Sequence, residues 1–207
     1  MVLFTEQISQ SAQHTRSGTV AKKGIRMADS GPQVSVLVGS SSDASLIEPV
    51  FAVLDDYGLT HEYNVISAHR KPDALADYVK SARSRGIQVI IAAAGGAAAL
   101  PGAVAAHTTL PVIGVPLPSS EMNGIDSLHA IVQMPPGIPV ATMGIGAAGA
   151  RNSGLFAARI IALSNPALAK RYRRFVNDQR KKVLAADAKL QKKNAPPKKT
   201  PKRDLQN

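Results

Sequence analysis

Five short apolar runs, separated by helix-length intervals, constrain this chain more than any other feature. They are VSVLVG (34–39), YNVIS (63–67), VIIAAA (89–94), PVIGVP (111–116) and VATMGI (140–145). The segments between them carry a helical period. DASLIEPVFAVLDDYG places Leu46, Ile47, Val50, Val53 and Leu54 on one stripe and closes at Gly58, and PDALADYVKSARSRG opens on Pro72 and closes at Gly86. Proline at a first turn and glycine just past a last turn are start and stop signals for helices. Strand alternating with helix at this spacing predicts a parallel α/β sheet. The near-continuous apolar character of the runs predicts that helices cover both faces.

After Arg151, NSGLFAARIIALS reads as a buried helix, and a longer charged helix follows over 166–193. The rest of the chain is expected to be disordered: a leader over 1–32 and a basic tail over 194–207. A start at Met27 and an organelle transit peptide are alternatives for the leader. The net charge of +11 is confined to one end. Residues 166–207 hold 14 Lys+Arg against 3 Asp+Glu, whereas residues 1–165 hold 11 of each. The globular part is therefore neutral, and the basic character belongs to the C-terminal extension. That extension reads as a solvated appendage, with contact to nucleic acid or an acidic partner as the alternative. No run approaches the ~18 apolar residues of a membrane span. Cysteine is absent, which excludes disulfides, thiolate catalysis and cysteine zinc sites, and fits a reducing cytoplasm.

Ligands of an open parallel sheet bind beyond the carboxyl ends of the strands, so the residues after each run are the site candidates. After the first come Gly39, Ser40, Ser41, Ser42 and Asp43. Small residues with hydroxyls at a helix start suit a phosphate, and the plainer reading is a helix cap. After the second come Ser67, Ala68, His69 and Arg70. A histidine exchanges protons near neutral pH, and an arginine offers a planar fork for phosphate or carboxylate. The plainer reading is a surface pair in a loop. After the third, AAAGGAAALPG leaves little but backbone, either to approach a ligand or to make a tight turn. After the fourth, the long polar loop in PLPSSEMNGIDSLHAIVQMPPGIP has a length often associated with function. His14, His61, His107 and His129 are not expected to be catalytic, and no HExxH, GxxxxGK[ST] or GxSxG pattern occurs.

Taken in order, GSSSD, SAHRKPD, GGAAALPG, TTLPVIGVP, NGIDSLHAIVQMPPGIPVAT and IGAAGARNSG closely resemble the class I phosphoribosylaminoimidazole carboxylase catalytic subunit family. Its bacterial members are N5-carboxyaminoimidazole ribonucleotide mutases of purine synthesis. The resemblance covers roughly residues 33–165, which define the expected catalytic domain. It implies a flavodoxin-like three-layer α/β/α sandwich assembled as a cytoplasmic homo-octamer, with sites near subunit contacts. It also implies a carboxylate shift from the exocyclic nitrogen to carbon 4 of the aminoimidazole, with neither metal nor organic cofactor. An ATP-dependent carboxylating enzyme would act upstream. Carried over by motif, Ser40, Ser42 and Arg70 would hold the 5′-phosphate, Asp43 the ribose hydroxyls, and His69 would shuttle the proton. Ser67 and the turn Gly95, Gly96, Ala97 and Ala98 would complete the substrate contacts.

The chain departs from the family pattern at three places. Ala99 stands where the family has a histidine before LPG, Ala93 where glycine is usual, and Lys71 where threonine is common. The basic tail is a further difference. The first departure leaves open a ribonucleotide-binding paralogue with altered or lost activity.

Overall fold

The computed structural model describes residues 31–194; the expectations for the leader before residue 31 and for the tail after residue 194 lie outside them. Five strands form one all-parallel sheet: β1 (Val34–Val38), β2 (His61–Val65), β3 (Val89–Gly95), β4 (Val112–Leu117) and β5 (Ala141–Thr142). Their spatial order is β2-β1-β3-β4-β5. The chain runs outward from β1 to β2 and then crosses back to β3 on the other side of β1. That reversal is the topological switch point of the flavodoxin-like fold.

Alternation along the central strands divides the core in two. Val34, Val36, Val38, Ile91 and Val115 face one layer. That layer holds α1 (Ala44–Ile47), α2 (Pro49–Tyr57), α6 (Gly146–Ala162) and the start of α7 (Pro166–Asn194). Leu37, Ile90, Ala92 and Val112 face the other, made of α3 (Pro72–Ala82), α4 (Ala99–Ala106) and α5 (Ile125–Val132). The expected three-layer sandwich is the observed one.

Three elements differ in detail from the sequence reading. The first helical segment is interrupted before Pro49, whose missing N–H removes one rung of the helix ladder. The fifth strand shrinks to Ala141–Thr142, paired only with Ile113 and Gly114 at the sheet edge. The second strand starts two residues early, at His61, because its ladder aligns His61 with Val34. Its polar residues point inward and are satisfied there. The Tyr78 hydroxyl of α3 lies 2.7 Å from Ser35 Oγ, accepts from Asn64 Nδ2 at 3.1 Å and donates to Glu62. Arg85 donates to Glu62 at 2.9 Å, and its guanidinium lies 4.4 Å from the centre of the Tyr78 ring. Burial, and secondarily the Glu62 carboxylate, pushes the Tyr78 hydroxyl up to about 12. It therefore stays a donor at all ordinary pH, and the edge strand is pinned beneath α3 by a satisfied polar network.

Helix α6 packs through a face of small residues. A Cβ on Gly154 would sit 3.0 Å from Val53 Cβ, so glycine lets α2 and α6 approach closely. A Cβ on Gly149 would fall inside the radius of the Gly144 carbonyl oxygen, a backbone atom that cannot swing away. Helix α7 packs through Leu168 and an aromatic cluster in which Tyr57 and Tyr172 stack at 5.7 Å and Phe175 meets Tyr172 edge-on at 5.9 Å. Beyond that cluster it is exposed and charged. Among the described residues no helix is long and apolar enough to cross a membrane.

Gly149→Ala sets two effects against each other. Alanine gains roughly 1 kcal/mol of helix propensity, while overpacking against rigid backbone costs about 1–3 kcal/mol. We expect the second to win, so that the midpoint of urea unfolding falls; a midpoint at or above that of the wild type would contradict the packing account.

Candidate active site

The switch point leaves a crevice at the carboxyl ends of β1 and β3, and the loops after four strands close around it. The resulting cleft has a volume of ≈ 400 Å³. The loop after β1 contributes Gly39, Ser40, Ser42 and Asp43, and the loop after β2 contributes Ser67, Ala68, His69 and Arg70. Ala94, Gly95, Ala97, Ala98, Ala99 and Leu100 come from the end of β3 and the start of α4, and Ser119 from beyond β4. Nine of the ten residues singled out from sequence thus meet in one space. The tenth, Gly96, is not among the lining residues. It serves the backbone, taking φ +58° in the turn that the Ala98 N–H closes onto the Gly95 carbonyl at 3.1 Å.

Each loop is held by its own sequence. Ser40 caps the short 3₁₀ turn Ser41–Asp43 by accepting from the Ser42 N–H at 3.3 Å, and the Ser42 hydroxyl donates to Ser40 Oγ at 2.8 Å. The cap reading of GSSSD is therefore realised, and the same hydroxyls line the cleft. Asp43 is buried, only 7% exposed. Burial raises its carboxyl above the ordinary aspartate range, while hydrogen bonds from the Ser40 backbone and the Ser42 side chain pull the other way. Ser67 organises the next loop: its Oγ accepts from the Arg70 N–H at 3.3 Å and its carbonyl accepts from the Lys71 N–H at 3.0 Å. That turn presents His69 and Arg70, both exposed, to the cleft.

The glycine-alanine turn is a device for close approach. Ala98 adopts φ 44°, ψ 39°, a left-handed conformation that costs an L-residue about 1–2 kcal/mol. Gly95 must lack a side chain for a different reason: a Cβ there would overlap Ser119 Oγ. Ser119 is the polar lining residue that sequence reasoning missed. The loop that carries it stood out by length, but nothing in its residues distinguishes Ser119 from Ser120. Only the contact with Gly95 does. Of the other histidines, the three among the described residues lie outside the cleft. His61 begins β2, stacks on Phe51 at 5.4 Å and lies 3.9 Å from Asp55 Oδ1. His107 follows α4 and His129 sits within α5, and neither lines the cleft. His14 lies outside the described residues.

Comparison with known proteins places this arrangement. The N5-carboxyaminoimidazole ribonucleotide mutase of Vibrio cholerae is 51% identical over 151 residues, 73% of this chain and 94% of that protein. The mutase of Saccharolobus solfataricus is 49% identical over 154 residues, 74% of this chain and 96% of its own length. The phosphoribosylaminoimidazole carboxylase of Schizosaccharomyces pombe is 47% identical over 161 residues, which form 29% of that larger protein. Among solved structures, Treponema denticola PurE matches with a TM-score of 0.69 at 28% identity, over 77% of this chain and 98% of that one. The AIR carboxylase family model matches residues 33–182, so that the family's domain takes in the first part of α7 as well as the sheet. The chain belongs to the AIR carboxylase family.

Proposed function

We propose that this protein is the mutase of purine synthesis that converts N5-carboxyaminoimidazole ribonucleotide to 4-carboxy-5-aminoimidazole ribonucleotide. The observation that carries the reading is the convergence of His69, Arg70, Ser40, Ser42 and Asp43 with the Gly95–Ala98 turn on one cleft. Relatives named for this activity, matched over more than nine-tenths of their own length, support it.

The chemistry assigns the roles. Arg70 and the two serine hydroxyls grip the 5′-phosphate, since a guanidinium fork and hydroxyl donors match its oxygens. Asp43 accepts from the ribose hydroxyls. The substrate's N-carboxylate is a carbamate, which breaks its C–N bond and releases CO2 once the nitrogen is protonated. His69 in its cationic form supplies that proton. The freed amine pushes electron density into the ring, and carbon 4 attacks the retained CO2 to form the new C–C bond. His69, now neutral, takes the proton from carbon 4, and the net result is an isomerisation. The Gly95–Ala98 turn borders the space for the CO2, and its small side chains leave room there.

Conversion of the carbamate ribonucleotide, followed by formation of the carbon 4 carboxylate, tests the assignment. His69→Asn is expected to cut turnover by roughly 10²–10⁴-fold, the usual contribution of a positioned acid/base, with the circular dichroism unchanged. Full turnover in that variant would end the proton-shuttle role. Calorimetric binding of the ribonucleotide without any product from the wild type would instead favour the binding paralogue. Position 99 enters because its methyl lines the cleft. Ala99→His is expected to raise turnover in the same assay, and an unchanged rate would mark the position as tolerant.

The Gly95–Ser119 contact makes a separable prediction. Gly95→Ala forces Ser119 out of place and is expected to lower kcat/KM about tenfold or more, since small misplacements at a reacting centre are costly. Adding Ser119→Gly to that variant should recover most of the loss. A double variant as slow as Gly95→Ala would show that the turn itself, not the Ser119 contact, was damaged.

The same proposal takes the working unit to be a homo-octamer. Tyr63 and Val65 on β2, and Met122 and Ile125 ahead of and within α5, are large apolar side chains exposed on the single chain, Met122 by 58%. Burial against neighbouring copies accounts for them. Sedimentation equilibrium is expected to give eight times the 21.7 kDa chain mass, and a monomer at micromolar concentration would refute the assembly.

A further inference from the structure

A second cavity, of ≈ 310 Å³, lies between α2, α6 and α7 and shares no residue with the cleft described above. Arg151 of α6 and Arg171 and Arg174 of α7 line it, together with Asp56 and Tyr57 of α2 and Asp178 of α7. Two observations set it apart from an ordinary charged surface. First, none of the three guanidiniums forms an ion pair, although two carboxylates line the same cavity; the ion pairs among the described residues are His61–Asp55 and Arg85–Glu62. Second, Tyr57 is only 8% exposed, and its hydroxyl is buried with no hydrogen-bond partner among the described residues. Buried hydroxyls nearly always find a partner, so this one is a donor without an acceptor in the wall of an arginine-lined cavity. Burial raises the Tyr57 pKa, with a smaller push from Tyr172 that Arg171 partly offsets. The group therefore stays protonated and able to donate. The Arg171 guanidinium already lies 5.9 Å from the Tyr57 ring centre.

We propose that this cavity is a binding site for a small oxyanion, a phosphate or a carboxylate, held by Arg151, Arg171 and Arg174 with the Tyr57 hydroxyl as an added donor. The guanidinium forks match such oxygens in pairs. The anion supplies the acceptor that Tyr57 lacks, and side chains shielding that hydroxyl shift when it binds. Asp56 and Asp178 limit what enters. Three positive charges against two negative leave a small net positive charge, which suits one compact anionic group.

The test is calorimetric titration of the intact protein with inorganic phosphate and, in a parallel arm, with acetate. An Arg70→Ala background removes the phosphate grip of the catalytic cleft. One phosphate or one acetate per chain is expected to bind in that background, and the tighter of the two identifies the ligand class. Tyr57→Phe, which keeps the ring and its packing, is expected to weaken binding about tenfold, the loss of one hydrogen bond to a charged group. Arg151→Ala combined with Arg174→Ala is expected to abolish it. Absence of binding by both anions overturns the proposal, as does an unchanged affinity in Tyr57→Phe. Failure of the arginine variant to fold would leave the Tyr57→Phe comparison to decide. If the arginine variant instead lowers the sedimenting mass while neither anion binds the parent, the arginines serve a contact between copies and the proposal is wrong.

Discussion

The whole site depends on strand β1 being hydrogen-bonded on both sides, to β2 and to β3, in one register. Val34–Val38 pair with His61–Val65 on one edge and with Val89–Ala93 on the other. Because the chain leaves β1 in one direction and returns to the sheet on the other side, the connections part at the carboxyl ends and leave a gap there. The loops carrying Ser40, Asp43, His69, Arg70 and Gly95 all begin at that gap. A slip of one residue in β1 would turn Val34, Val36 and Val38 to the wrong layer and reverse the face of every side chain. It would also pull Ser35 away from Tyr78, opening the network that holds the edge strand. The position of His69 is thus secured by packing some distance from it.

Absent side chains do as much as present ones. Gly154 brings α2 against α6, Gly149 lets α6 start against the Gly144 carbonyl, and Gly95 admits Ser119 to the edge of the cleft. In each case a methyl group would meet an atom already there. Ala98 shows the complementary cost: an ordinary residue is held in a left-handed conformation so that the turn after β3 keeps its shape. Strain of this kind persists when the surrounding structure over-determines it, and the β3 ladder on one side and α4 on the other do so here. A wall of backbone and methyl groups beside His69 suits the proposed reaction, in which CO2 is held between bond cleavage and bond formation.

Much of this was legible in the chain itself, for identifiable reasons. The parallel sheet followed from apolar runs at helix-length spacing, because both faces of such a sheet are covered. The strand-end rule then located His69, Arg70, Ser42 and Asp43 without any knowledge of contacts. The second strand was the weak point. Glu62 and Asn64 look like surface residues, and nothing local announces that Tyr78, some fifteen positions on, satisfies them from the neighbouring helix. Ser119 was hidden for a similar reason, since its distinction from Ser120 is a contact with Gly95, far away along the chain. Gly96 stands apart from its neighbour: it does not line the cleft, and its positive φ is a property of the turn that adjacency to Gly95 does not announce.

The sequence by itself determined the order of strands and helices along the chain, the layers that bury them and the loops that line the cleft. These depend on periodicity and on residues that start and stop helices, both local properties of the chain. Tertiary structure alone decided which loop residues share a cavity, which glycines are needed for space rather than for backbone freedom, and which polar groups are satisfied. It also alone revealed that Tyr57 of α2, Arg151 of α6 and Arg171 and Arg174 of α7 line one cavity. Those are relations between residues distant in the chain, and they exist only once the sheet has folded and its helices have packed.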